Sequence, residues 1–128
     1  MQNWLIMVYL VNATLLIVHE IDSAYWQEWK LFKLPGGLAL FLCLHIPLVL
    51  LVLLGLLLLA WGSYAGLVIS GILGLAGIFA FIIHMVFIAR GRPEFKVPVS
   101  IAILLATLIC SVLQVGLTVY LMVTGAPG

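Results

Sequence analysis

The chain has 128 residues, of which 66% are hydrophobic and only 7% are charged. Soluble domains carry about a quarter charged residues, and a soluble protein of this length could not cover so much apolar surface, so the composition predicts an integral membrane protein surrounded by lipid. The net charge of +1, with no basic stripe outside two short connections, excludes a nucleic-acid partner.

Four apolar segments are each long enough to cross a bilayer as a helix, and they cover residues 3–24, 37–61, 63–89 and 98–124. A span needs roughly 20 residues, and it must be helical because lipid cannot hydrogen-bond the backbone. The first segment has no cationic start and no small-residue cleavage pattern, so we expect it to be retained. The predicted fold class is all-α: a polytopic membrane protein with four transmembrane helices in an antiparallel bundle, forming one domain over residues 1–128.

The connection after the first segment, residues 25–34, mixes aromatic and charged side chains. These residues are Tyr25, Trp26, Gln27, Glu28, Trp29, Lys30, Phe32 and Lys33. Aromatic rings prefer the headgroup level, and lysines extend toward it. We therefore expect an interfacial continuation of the first helix, which ends at Leu34-Pro35-Gly36-Gly37.

The cationic residues determine the predicted orientation. All five lie in two connections, as Lys30, Lys33, Arg90, Arg92 and Lys96. The remaining connection, Gly62-Ser63, is so short that helices two and three must form a hairpin, which brings both basic connections to one side. By the positive-inside rule this side is cytoplasmic and both termini are extracytoplasmic, and we expect the bacterial inner membrane.

Three helices carry one polar or small face each, at helical spacing. These faces are Asn12 and His19 in the first helix; Gly66, Ser70, Gly74, Gly77, Phe81 and His84 in the third; and Ser100, Thr107, Ser111, Gln114 and Thr118 in the fourth. Small residues let helices approach closely, so this pattern predicts a bundle with a polar interior, although the glycine stripe could equally serve a homo-oligomer. Residues 48–59 have no polar face and are expected to contact lipid.

The histidines His19, His45 and His84 come from three different helices, yet counting residues places all of them roughly 5–12 Å from the cytoplasmic boundary. Three imidazoles and a carboxylate suit Zn²⁺, and mixed sets also suit iron. We therefore predict a metal site formed by these histidines and Glu20, with Glu20 and Asp22 as candidate catalytic carboxylates. Glu94 is a reserve ligand.

Several functions remain compatible with this pattern. A bound metal would activate water against a lipid-like substrate, whereas purely structural histidines would fit a non-enzymatic binding or accessory subunit of a larger membrane complex. A haem held by His45 and His84 leaves the third histidine unexplained. A small proton-coupled transporter would use Glu20 or Asp22 as its titrating group, although Glu20 lies near the end of the helix and not at its middle.

One stretch carries a resemblance. His19-Glu20-Ile21-Asp22-Ser23-Ala24-Tyr25-Trp26-Gln27-Glu28-Trp29, followed by Leu34-Pro35-Gly36-Gly37, resembles the opening of a group of small, uncharacterised bacterial integral membrane proteins. The resemblance covers about the first third of the chain. It implies a membrane location and no particular activity.

Overall fold

The computed structural model describes residues 1–92, 94 and 96–125. Within these residues the structure is helical, and its elements are α1 (Gln2–Tyr25), α2 (Glu28–Leu31), α3 (Gly37–Ala60), α4 (Tyr64–Ala89) and α5 (Pro98–Thr124). Four of these helices, α1, α3, α4 and α5, are long and apolar enough to cross a membrane, and they pack against one another. The predicted all-α fold with four membrane-spanning helices is confirmed.

The small residues of α4 lie where this helix meets its two neighbours, as the sequence predicts. A Cβ atom added to Gly66 would lie 2.6 Å from backbone atoms of Leu58 and Leu59 in α3, and one added to Gly74 would lie 2.7 Å from the Val115 Cγ2 atom of α5. Both distances are shorter than van der Waals contact. Glycine at these two positions therefore lets α3 and α5 each pack closely against α4.

Part of the bundle interior is polar, and side chains of three helices are hydrogen-bonded to one another there. The Asn12 amide of α1 donates to Ser111 Oγ at 3.0 Å and to Gln114 Oε1 at 2.9 Å on α5. Gln114 in turn donates to the Ser70 carbonyl of α4 at 2.8 Å, and the hydroxyls of Ser70 and Thr118 lie 2.9 Å apart. Since lipid cannot satisfy polar groups, this network fixes how α1, α4 and α5 face one another.

The helix α3 lies at the periphery of the bundle and is mostly exposed. Its buried residues are Val52, Gly55 and Leu59, and the Tyr9 hydroxyl of α1 donates to the Val52 carbonyl at 2.7 Å. Most of its leucines are exposed on the surface, but the three buried residues all lie within residues 48–59. The expected lipid contact of this stretch therefore stays a prediction for its exposed faces.

The connection between α1 and α3 corrects one expectation, because α1 does not continue through it. Gln27 has a left-handed backbone with φ of +54°, and this turn separates α1 from the four residues of α2. The chain then folds back against the bundle, with the ring of Trp29 5.4 Å from that of Phe41 in α3 and the ring of Phe32 5.5 Å from that of Phe87 in α4. The contact between Phe32 and Phe87 brings the α1–α3 and α4–α5 connections to the same end of the bundle, here called the basic end.

Candidate metal centre

Two imidazoles and one carboxylate converge at the basic end. The rings of His19 on α1 and His84 on α4 meet edge to face, with their centroids 4.6 Å apart, and both residues are buried. Glu28, the first residue of α2, places its Oε1 atom 3.5 Å from His84 Nε2. One ligand atom from each of the three residues lies within 4.8 Å of the other two, so the three side chains can hold a single ion.

A backbone carbonyl of α4 determines which ring nitrogen of His84 carries a proton. Its Nδ1 atom lies 2.6 Å from the Ala80 carbonyl oxygen, and a carbonyl only accepts, so Nδ1 carries a proton. In the neutral ring the Nε2 atom then presents its lone pair toward Glu28. Two groups that accept hydrogen bonds face each other stably only when a cation, either a proton or a metal ion, lies between them. An N–H donated to a backbone carbonyl is also the usual support of a histidine that binds metal.

His45 forms a separate pair with Glu20. Its Nε2 atom lies 2.7 Å from Glu20 Oε2, and its Nδ1 atom lies 2.6 Å from the Phe41 carbonyl oxygen. The Phe41 ring also stacks on the imidazole, with centroids 3.9 Å apart. Because Nδ1 donates to the carbonyl, a second proton must lie between Nε2 and the carboxylate, whichever atom holds it. The pair as a whole is therefore electrically neutral.

The structure thus divides the predicted ligands into two groups. It brings His19 and His84 together, but it places His45 against Glu20. Asp22 points elsewhere and accepts a hydrogen bond from the Trp26 indole at 3.0 Å.

The same contacts bear on two other predictions, the reserve ligand Glu94 and a haem held by His45 and His84. Glu94, the reserve ligand, is not one of the three converging residues. The Nε2 atoms of His45 and His84 face different carboxylates, so these two rings do not face one iron position between them.

Glu28 is the member of this cluster that sequence reasoning missed. It lies in the connection that was predicted to continue the first helix, where a carboxylate would point away from the bundle. The left-handed turn at Gln27 redirects the chain so that Glu28 reaches His84. Glutamine gives no sequence signal for a left-handed conformation, unlike glycine or asparagine, so the sequence offered no indication of this approach.

A pocket of about 230 Å³ lies beside the two groups. Its polar wall consists of Glu20, Glu28 and His45, and the rest of its lining is aromatic or aliphatic, apart from Pro35 and Gly37. Two of its lining residues on α3, Leu40 and Leu44, are 36% and 53% exposed. The pocket therefore opens toward the apolar surface that faces lipid.

The donor set of His19, His84 and Glu28 has a defined chemical use. Two histidines and one carboxylate form catalytic zinc sites and also the three-ligand sites of non-haem iron. Both types leave coordination positions for water or substrate. A metal ion held by these three side chains alone would therefore keep coordination positions open for water or substrate.

Comparison with known proteins identifies the family of the chain. Residues 5–121 match the model of a family of unknown function, DUF6713, and the chain belongs to this family. No curated protein and no solved structure matches it. The family agrees with the predicted resemblance to uncharacterised proteins and assigns no reaction.

Proposed function

We propose that this membrane protein is a metal-dependent enzyme in which His19, His84 and Glu28 bind one divalent ion, Zn²⁺ or Fe²⁺, and that it acts on a lipid-like substrate. The observation that carries the proposal is the convergence of three ligand atoms within 4.8 Å. The pocket beside Glu28 supplies the route by which a substrate reaches the ion.

The physical argument starts from the cost of polar groups in this location. Ionisable side chains inside a membrane are expensive and usually serve a function. A hydrogen bond alone would explain one imidazole facing one carboxylate, as in the pair of Glu20 and His45 at 2.7 Å. The distance of 3.5 Å between His84 and Glu28 is too long for an ordinary hydrogen bond, and a second imidazole lies beside them. A metal ion accounts for all three side chains at once.

The chemistry of such a centre is that of a Lewis acid. A divalent ion with three protein ligands polarises a substrate oxygen or lowers the pKa of a bound water, which becomes a nucleophile near neutral pH. Glu20 and His45 line the same pocket and hold one exchangeable proton between them. In this proposal they give or take a proton at the substrate, as general acid–base catalysis requires.

Metal analysis of the purified full-length protein tests the proposal. We expect about one equivalent of zinc or iron per chain after loading at neutral pH. Glu28→Gln and His84→Gln should each weaken binding strongly, since each removes a ligand. The matched controls are Asp22→Asn and His45→Gln, which change nearby groups outside the proposed ligand set and should retain the ion.

Two outcomes would contradict this assignment. A protein that binds neither Zn²⁺ nor Fe²⁺ would rule out the metal centre. If His45→Gln lost the ion as completely as His84→Gln, the three histidines would share one site, and Glu28 would not be the decisive carboxylate.

Proton relay is the second candidate function, and a specific contact favours it. The short contact between Glu20 and His45 holds one proton between the two groups. Glu28 lines the same pocket and lies 3.5 Å from His84. A chain of protons, with no metal, could pass along these four side chains. In that case the purified protein would bind no ion, and Glu20→Gln would abolish proton uptake in proteoliposomes.

A further inference from the structure

We infer that the metal-loaded site binds the carboxylate of a single-chain fatty acid, whose apolar chain lies in the pocket between α2 and α3. This inference rests on the proposed metal centre and names the class of ligand that this centre would accept. It depends on three features of the pocket: which ligand of the metal it reaches, how its walls are built, and what net charge its polar end carries.

A molecule that coordinates a bound ion would reach it from the pocket. Among the three proposed ligands only Glu28 lines it, while His19 and His84 are 2% and 1% exposed. The imidazoles therefore close the inner side of the site. A molecule that coordinates the ion has to approach past Glu28, with its head group in the pocket.

The remaining walls fit an alkyl chain. Trp29, Phe32, Phe41, Leu40 and Leu44 line the pocket away from its polar end, and Leu40 and Leu44 lie at the lipid-facing surface. A volume of about 230 Å³ is below the roughly 300–1,000 Å³ of pockets that enclose drug-sized ligands. One chain can place its head and first carbons there while the rest extends into lipid, whereas a lipid with two chains is too wide.

The charge of the loaded site selects the head group. A divalent ion beside the Glu28 carboxylate leaves one positive charge, and the pair of Glu20 and His45 adds none because one proton lies between them. A single negative charge on the ligand balances this site, whereas an amine would be repelled. Lys30 and Lys33 lie in the same connection as Glu28 and attract anions to this end of the bundle.

Cobalt absorption tests the inference directly, because the visible bands of Co²⁺ change when a ligand joins its coordination sphere. The full-length protein is loaded with Co²⁺ in dodecyl maltoside and titrated with dodecanoate, dodecyl phosphate, dodecyltrimethylammonium or dodecanol. We expect dodecanoate to shift the bands and to bind at least tenfold more tightly than the ammonium compound or the alcohol. Metal-free protein should bind dodecanoate at least tenfold more weakly than the loaded protein.

A chain-blocking variant and a quenching measurement locate the tail. Leu40→Trp fills the pocket without touching a proposed ligand, so cobalt content should stay unchanged while dodecanoate affinity falls at least tenfold. Independently, a brominated fatty acid should quench the tryptophan fluorescence, and Trp29→Phe should remove most of that quenching. Trp4→Phe is the matched control, because Trp4 does not line this pocket.

The outcomes separate this inference from the proposed function. A protein that binds no Co²⁺ or Zn²⁺ would overturn the metal centre and the inference with it. A protein that binds Co²⁺ with unchanged bands in dodecanoate would overturn only the inference. Equal or tighter binding of the ammonium compound would refute the charge argument, and tighter binding of dodecyl phosphate would refute the choice of a carboxylate.

Discussion

The left-handed turn at Gln27 connects the backbone to the proposed metal centre, so a substitution there should weaken metal binding without removing a ligand. In a continuous helix, Glu28 would lie nine residues after His19, about 13.5 Å farther along the axis and about 180° around it. It could not then reach His84. The turn at Gln27, with φ of +54°, is what brings the carboxylate back to the bundle.

Gln27→Val makes this conformation more costly, because a branched Cβ atom clashes with the backbone when φ is positive. The left-handed region costs an L-residue roughly 1–2 kcal/mol, and a β-branched side chain tolerates it worst. If the metal-free protein relieves this strain by rearranging the turn, binding must restore it. A cost of about 1–2 kcal/mol then weakens metal affinity by roughly 5- to 30-fold. Gln27→Gly removes the clash and should bind at least as tightly as the native protein.

Lys33 offers a matched control in the same connection. It has the same φ of +54° but follows α2, so Lys33→Val introduces comparable strain without moving Glu28. A competition titration of Zn²⁺ against a chromophoric chelator, in detergent at neutral pH, compares the variants. We expect similar losses of thermal stability and a loss of zinc affinity only in Gln27→Val. Native zinc affinity in Gln27→Val, together with reduced thermal stability, would refute the idea that this turn positions the ligand.

Two further predictions concern the bundle as a whole. A topology reporter fused after Gly128, which lies outside the described residues, should behave as extracytoplasmic. The reason is that all five cations lie in the α1–α3 and α4–α5 connections, which the positive-inside rule places in the cytoplasm, on the other side of the membrane from the C-terminus. Cytoplasmic activity of the fusion would reverse the orientation. Gly74→Leu should destabilise the protein by about 1–3 kcal/mol through overpacking against Val115, whereas exposed Leu57 should tolerate alanine. Equal loss in a detergent unfolding assay would contradict the packing of α4 through this face.

The bundle was predictable because the signals that form it are local in the sequence. The length of each apolar segment follows from the thickness of the bilayer, and a buried helix face repeats at a fixed spacing. Ser70, Gly74 and Gln114 illustrate this, since each lies on a stripe read from the sequence and each is buried. These features need no knowledge of which helix contacts which.

The composition of the site depends on information that helical spacing does not contain. Counting residues gives the depth of His19, His45 and His84 but not the lateral position of their helices, so equal depth did not reveal that only two of the three rings touch. His45 belongs to α3, which packs less extensively on α1 than α5 does, and it contacts Glu20. The position of the Glu28 carboxylate depends in addition on one backbone dihedral angle, the φ of Gln27.

The two histidine–carboxylate pairs share one local backbone contact, although different roles are proposed for them. His45 and His84 each donate a hydrogen bond from Nδ1 to the carbonyl oxygen four residues earlier, at 2.6 Å in both cases. This contact orients each ring so that its Nε2 atom faces a carboxylate. At 2.7 Å the Glu20 pair leaves space for a proton alone, whereas at 3.5 Å the Glu28 pair has space for a larger cation. The ring of His19 beside His84 adds a further ligand there, which favours a metal ion over a proton. The different roles proposed for the two pairs therefore follow from the position of the carboxylate, not from the histidine.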